Sequence, residues 1–284
     1  MAKVATSPIT IDHSSDAGYR AWAAAFLNVL DTINPSILTR TADTGQINTS
    51  TATRPSINTI PDYAVYKFDD GIGLPIYIRF SLGTGNATSA PAMAFIIGKS
   101  TNGAGVISDQ FHAISGAWSG SNVAQTGPVL SCVIQGHFSL LFGQGIMSNG
   151  TICFGATFTR SADSNGNPTA DGLHGMIKQW SSGTYSFFTA DMGLGLRANI
   201  ASETGVTAAQ LYGRTTTAAG GVVKPLPVFY LTPDARVSVG MLVVDIADAA
   251  MNAEFSLPMV GTTPRNYKVL GFNTTQKAYA TLWE

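Results

Sequence analysis

Val129-Leu-Ser-Cys-Val-Ile-Gln-Gly-His-Phe-Ser-Leu-Leu-Phe142 and Thr151-Ile-Cys-Phe-Gly-Ala-Thr-Phe-Thr159 are apolar runs separated by the loop Gly143–Gly150. Both are rich in β-branched and aromatic residues and are bounded by glycine, so each predicts a strand. Working outward, the same kind of segment recurs at Tyr63–Phe68, Ile76–Leu82, Ala92–Gly98, Thr184–Thr189, Val222–Tyr230, Arg236–Val244 and Tyr267–Phe272. The 30 glycines and 13 prolines concentrate between these runs, where strand ends and positive-φ turns need them. The pattern predicts a mainly β protein with a β-sandwich-like body.

Residues 16–33 break the pattern. Tyr19, Trp22, Ala23, Phe26, Leu27, Leu30 and Ile33 recur at helical spacing, after Ser14, Ser15 or Asp16 as N-cap candidates, and Pro35 ends the run. The opposite face carries Arg20, Ala24, Asn28, Asp31 and Thr32, small or polar residues that suit a helix lying on a sheet or a neighbouring subunit. The division expected is an N-terminal helix and docking segment over residues 1–55 and a mainly β body over residues 56–284. Tyr19, Trp22, Phe26 and Leu30 are the candidate docking residues. Residues 205–213 and Val244–Ala253 offer short helical alternatives, and Arg160–Asp171 reads as an exposed polar loop.

Charge is scarce. Asp, Glu, Lys and Arg make up 12% of the 284 residues against 45% hydrophobic ones, about half the charged fraction of an ordinary soluble domain. Thr, Ser, Asn, Gly and Ala fill the deficit, and such a surface meets other protein without the desolvation cost of ions. Net charge is -1, and the basic residues are scattered, which argues against nucleic-acid binding. No apolar run reaches the roughly 18 residues of a membrane span or forms a signal-peptide core, so membrane insertion is not expected and synthesis in the cytosol is. The N-x-[ST] triplets at Asn48, Asn86, Asn149 and Asn273 matter only in a secretory pathway. Cys132 and Cys153 lie in the two opening runs, where a symmetric register places Cys132 well beyond the partner of Cys153; buried free thiols are expected.

Motifs for catalysis or metal binding are weak. Asp43-Thr44-Gly45 matches the short aspartic-protease pattern but lacks the apolar lead-in and the second carboxylate, so an Asx-type turn is the reading. Gly98-Lys99-Ser100 falls at the end of a strand, not in a phosphate-cradling loop. Asp163, Asn165, Asn167 and Asp171 alternate as calcium ligands do, but Pro168 stands where the loop glycine belongs. His13, His112, His137 and His174 have no neighbours at metal spacing, and Asp69, Asp70, Asp109 and Asp191 cannot be paired as acid and base from sequence. No cofactor, metal or enzymatic activity is expected. Trp118 and Trp180 stand among Gly and Ser, where an indole stacks on a sugar or a partner, or folds back onto its own core.

The first 110 residues carry a further set of stretches in fixed order: Ser15-Asp-Ala-Gly-Tyr19-Arg20-Ala-Trp22, then Asp43-Thr-Gly-Gln-Ile-Asn48, then Tyr63-Ala-Val-Tyr66-Lys67-Phe68-Asp69-Asp70, then Pro75–Gly85 and Phe95–Gly105. In this order and spacing they resemble a family of tailed-bacteriophage structural proteins. The resemblance covers about two fifths of the chain, and Thr49 departs from it, since many relatives carry Trp there. It implies a non-enzymatic virion component, tail- or baseplate-associated, assembled in the bacterial host cytoplasm with other virion proteins. A homo-oligomer, trimer or ring, is the expected state. The alternatives are a host-receptor or surface-glycan module using Trp118 or Trp180, and a capsid- or neck-associated decoration protein.

Overall fold

The structure, a computed structural model, describes residues 2–85, 91–117, 125–142, 154–162, 167–178, 184–191, 197–198, 203–204, 226–230, 236–245, 254–257, 264–273 and 277–284. The first elements are β1 (Lys3–Ala5), β2 (Ile9–Ile11), α1 (Asp16–Thr32), β3 (Leu38–Arg40), β4 (Thr59–Phe68), β5 (Ile76–Thr84), β6 (Pro91–Thr101) and β7 (Ile107–Ala117). There follow β8 (Gln125–Gly127), β9 (Val129–Ile134), β10 (His137–Phe142), β11 (Phe154–Ala162), β12 (Pro168–Lys178), β13 (Thr184–Asp191), β14 (Arg197–Ala198) and β15 (Glu203–Thr204). The last are β16 (Leu226–Tyr230), β17 (Arg236–Asp245), β18 (Glu254–Leu257), β19 (Arg265–Asn273) and β20 (Lys277–Leu282).

The protein is mainly β, and the strand pairs are antiparallel. A first sheet runs β3-β4-β5-β6-β7; a central sheet runs β1-β9-β10-β11-β12-β13-β14 with β15 also on β13; a last sheet runs β16-β17-β20-β19-β18; β2 and β8 form a separate pair. Sequence neighbours pair through most of the first and central sheets, as short connections between antiparallel strands require.

α1 starts where Ser15 Oγ accepts from the Gly18 N–H at 3.0 Å, with Asp16 favourably placed in the first turn. It ends as the Ile33 N–H closes on the Val29 carbonyl at 3.0 Å, two residues before Pro35. Its apolar face enters one core cluster that also holds Tyr66, Phe68, Phe80 and Phe95 of the first sheet and Phe138, Leu140, Phe142 and Phe158 of the central sheet. Phe26 touches both, with ring centroids 6.1 Å from Phe80 and 5.4 Å from Phe142. Phe68 and Phe158 meet edge-on at 5.2 Å. Each such side chain contributes about 1.5–3 kcal/mol by burial, so α1 is held by this core and not by its own propensity.

Alternation explains the central sheet. Along β9 and β10, Val129, Val133, Phe138, Leu140 and Phe142 point to the cluster with α1, while Leu130, Cys132 and Leu141 pack with Trp283 on the other side. β17 of the last sheet lies over β11. With both faces covered, β9 and β10 read as one continuous apolar run.

Several expectations change here. Val129–Phe142 is two strands, because Gly136 at φ +78 turns the chain between Ile134 and His137. A Cβ at Gly136 would stand 2.5 Å from Pro168 Cβ, so both conformation and space demand glycine. β7, β12 and β20 were not foreseen. Arg160 and Ser161, expected in an exposed loop, are buried on β11, and Pro168–Asp171 begins β12. The helical alternative at Val244–Ala253 starts on β17, which extends to Asp245; residues 246–253 and 205–213 lie outside the described residues. Cys132 is a buried free thiol, with burial pushing its pKa up to about 11; Cys153 lies outside the described residues.

Candidate functional site

Among the described residues, the outer face of the central sheet gathers a group of chemically versatile side chains. The period of two brings Cys132, His137, Ser139, Thr157, Thr159, Ser161 and His174 to this face, all of them buried. His137 Nδ1 is 2.8 Å from Thr159 Oγ1 and its Nε2 3.2 Å from Thr281 Oγ1 on β20, so one imidazole joins the central and last sheets. Burial, assisted by the charge of Arg265, pushes the His137 pKa down to about 3, and the ring is neutral at physiological pH. Thr157 Oγ1 donates to the Phe138 carbonyl at 3.0 Å, and the Cys132 N–H donates to Ser139 Oγ at 3.1 Å. Ser161 Oγ and His174 Nε2 are 2.8 Å apart, the spacing of a nucleophile and its base, but both are buried and serve the layer rather than an open cleft. Satisfied buried hydrogen bonds of this kind select one packing register over its neighbours.

Asp70 and Arg160 form a second buried constellation, both side chains 0% exposed. Arg160 Nε donates to Asp70 Oδ2 at 2.7 Å and Nη2 to Oδ1 at 2.9 Å, a bidentate pair. The Gly136 N–H adds a bond to Oδ2 at 3.0 Å, and Arg160 Nη2 also reaches the Leu74 carbonyl at 3.1 Å. The β4–β5 loop of the first sheet is thereby bolted to the β9–β10 turn and β11 of the central sheet. The signal was present in sequence: Ala156, Phe158 and Arg160 share one strand face, so alternation turns Arg160 inward.

Asp43 is a bracket. Its carboxylate accepts from Thr41 Oγ1 at 2.6 Å, from the Gly105 N–H at 2.8 Å and from Thr101 Oγ1. Burial opposes its charge, but the hydrogen bonds from Thr101, Thr41 and Gly105 outweigh that and hold its pKa below the ordinary carboxylate value. Gln46 completes the bracket, with Oε1 accepting from the Val65 N–H at 2.9 Å and Nε2 donating to the Thr41 carbonyl at 2.7 Å. The Asp43–Asn48 stretch thus covers the free edge of β4 beyond β3, where an exposed ladder would invite pairing. Arg79 stacks over Tyr63 at 4.3 Å and donates to the Gly105 carbonyl at 3.0 Å, so this cation too is engaged internally.

The expected docking residues lie elsewhere than foreseen. Tyr19, Trp22, Phe26 and Leu30 are at most 2% exposed, filling the core of their own chain, so this face of α1 has nothing left to offer a neighbour. Tyr19 donates to Asp62 at 2.5 Å, and burial and that carboxylate raise its pKa. The expected boundary near residue 55 cuts through this shared cluster. Trp118 and Trp180 lie outside the described residues, as do positions 163–166 of the Asp163–Asp171 loop. Lys99 sits on β6, as the strand reading required.

Two shallow depressions open among the described residues. A depression of about 460 Å³ opens on the outer side of α1, lined by Ala24, Ala25, Leu27, Asn28, Asp31, Arg40 and Thr49. Another of about 510 Å³ is lined by Arg54, Pro55, Ser56, Ile57 and Thr84. Behind it His13 Nε2 lies 2.7 Å from Thr84 Oγ1, which itself donates to the Pro55 carbonyl; burial, with Arg54 assisting, pushes the His13 pKa down to about 4. Among the described residues no group of three or more His, Cys, Asp or Glu is placed to hold a metal ion, and no helix is long and apolar enough to cross a membrane. No protein-family model matches the chain, and no curated protein matches it.

Proposed function

We propose that this chain is a non-enzymatic structural subunit of a tailed-bacteriophage particle, tail- or baseplate-associated, acting through contacts between subunits. The observation that carries the reading is how the few charges are spent. Asp43, Asp70, Arg160, Arg79, Arg54 and Lys268 are engaged in internal bonds, which leaves a chain with only 12% charged residues a still more neutral exterior. A neutral face rich in Thr, Ser and Asn favours protein contact over dispersal in water. A sandwich-like body, first and central sheets closing on one core, supports the same role by giving a stiff unit to stack. The order of the stretches in residues 14–105 supports a virion setting, with assembly in the host cytoplasm into a homo-oligomer, trimer or ring.

Mass photometry at micromolar concentration and reconstitution into particles test this. Oligomers that enter the particle are expected; a stable monomer that never incorporates overturns the proposal.

A second reading, recognition of host surface glycan, is favoured by one placement. β7 (Ile107–Ala117) and β13 (Thr184–Asp191) are in contact, so the strands that adjoin the Trp118 and Trp180 stretches in sequence are neighbours in space. Binding to host cells that is lost on Trp118→Ala or Trp180→Ala supports it, and no adsorption to host cells dismisses it. A position at the capsid or neck is separated from the tail by locating the chain in a density map of the particle.

A further inference from the structure

Residues 2–11 form an arm across the edges of two sheets before the chain enters α1. β1 takes the edge of the central sheet, with Lys3 opposite Cys132, Val4 opposite Ser131 and Ala5 opposite Leu130. The Val133 N–H donates to the Ala2 carbonyl at 2.7 Å and the Thr6 N–H to the Val129 carbonyl at 3.0 Å, closing the ladder at both ends. β2 continues along β8, with Ile9 opposite Gly127 and the Thr10 and Thr126 hydroxyls 2.8 Å apart. Lys3 Nζ donates to the Trp283 carbonyl at 3.0 Å, and Ile11 is buried.

None of these partners is local. The Thr10–Thr126, Thr6–Val129 and Lys3–Trp283 bonds span 116, 123 and 280 residues. The arm's own copy therefore outcompetes an identical arm from another copy only through its tether. Being tethered in one chain is equivalent to an effective concentration on the order of mM, which copies packed side by side in an assembly match. Without an arm, β9 presents an apolar edge with unpaired backbone groups, and the strand that fits it in register, residue by residue, is this same segment. Exchange needs no new contact, and the scarcity of charge leaves little repulsion between approaching copies.

We propose that residues 2–11 are exchanged between copies, each arm adding a strand to β9 and β8 of a neighbouring subunit. This inference rests on the reading of the chain as a self-assembling subunit.

The geometry supplies its own test. Because Ala2/Val133 and Thr6/Val129 are hydrogen-bonded pairs, Lys3/Cys132 is a non-bonded pair, in which side chains stand closest and a disulfide fits. Lys3→Cys in a Cys153→Ser background of the full chain is oxidised with copper phenanthroline, run on a non-reducing gel, and followed by light scattering without oxidant. Most of the assembled fraction is expected to migrate as covalent dimers or a ladder that reductant collapses. Oligomers whose disulfide closes only within one chain overturn the exchange while the self-assembling subunit stands. A monomer by light scattering at every concentration overturns both. The Ala5→Cys/Leu130→Cys pair repeats the test should Lys3→Cys fail to fold; no crosslink at either position means that the arm does not lie on β9, which overturns the proposal.

Discussion

Both faces of β9 and β10 are buried, but in different surroundings. The inner face meets α1 and the first sheet through Phe138, Leu140, Phe142 and Phe158, a set of rings with Phe138 and Phe158 stacked at 5.0 Å. The outer face meets the C-terminal segment through the His137–Thr281 hydrogen bond, with His137 also held by Thr159, and through Leu130, Cys132 and Leu141 against Trp283, so polar and apolar contacts are mixed there. Apolar packing is strong and tolerant of small shifts, whereas hydrogen bonds are weaker in net worth but fail when the register slips. The inner face therefore supplies most of the stability, and the outer face sets how the last sheet seats.

The contrast breaks first at Phe158. Phe158→Ala should cost about 3–5 kcal/mol in urea unfolding, by lost burial plus a cavity between Phe68 and Phe138; a loss no larger than that of an outer-face hydroxyl would erase the distinction. Arg160→Met tests the buried Asp70–Arg160 ion pair on the inner side. It strands the Asp70 carboxylate and should cost about 3 kcal/mol or somewhat more, and Asp70→Leu added to it should recover most of the loss.

On the outer face the lever is pH. His137 has its folded pKa near 3 against an ordinary 6.5, so on acidification the unfolded chain takes up its proton first. Stability is therefore full above about pH 6.5 and falls as pH drops towards 3. His13, pushed down to about 4, adds a slope of the same sign. Urea midpoints for His137→Asn should show a shallower fall between pH 6.5 and 4 than the parent chain; parallel curves would mean that His137 is not buried under the last sheet. The smallest effect is expected at the start of α1, where Ser15→Ala should cost about 1 kcal/mol in thermal unfolding, because the inner core and not the cap holds the helix.

The strand pattern was legible wherever local chemistry decides. Tyr63–Phe68, Ile76–Leu82 and Ala92–Gly98 lie inside β4, β5 and β6, and the helical period over 16–33 coincides with α1. Burial on both faces hid the turn at Gln135-Gly136, since a doubly covered hairpin has no polar alternation to mark where one strand stops. β7 and β12 carry Asp, Gln, His, Gly and Ser, and only pairing with β6 and β11 makes strands of them. Asp43 was read as a local turn, yet its partners at Thr101 and Gly105 lie some sixty positions away, a distance at which spacing says nothing. The docking face of α1 was misassigned because an amphipathic period says that a surface is covered, not by which chain.

Closure by Trp283 and Thr281 gives the mixed outer face a role during synthesis. At the usual translation rate of roughly 5–20 residues per second, the central sheet emerges many seconds before β20 can cover it. Throughout that interval the His137 imidazole hydrogen-bonds to water instead of to Thr281 while Leu130 and Leu141 wait for Trp283, so the half-made molecule shows the ribosome's surroundings a flank that is only partly apolar. A flank of phenylalanines would spend the same seconds recruiting chaperones or other nascent chains.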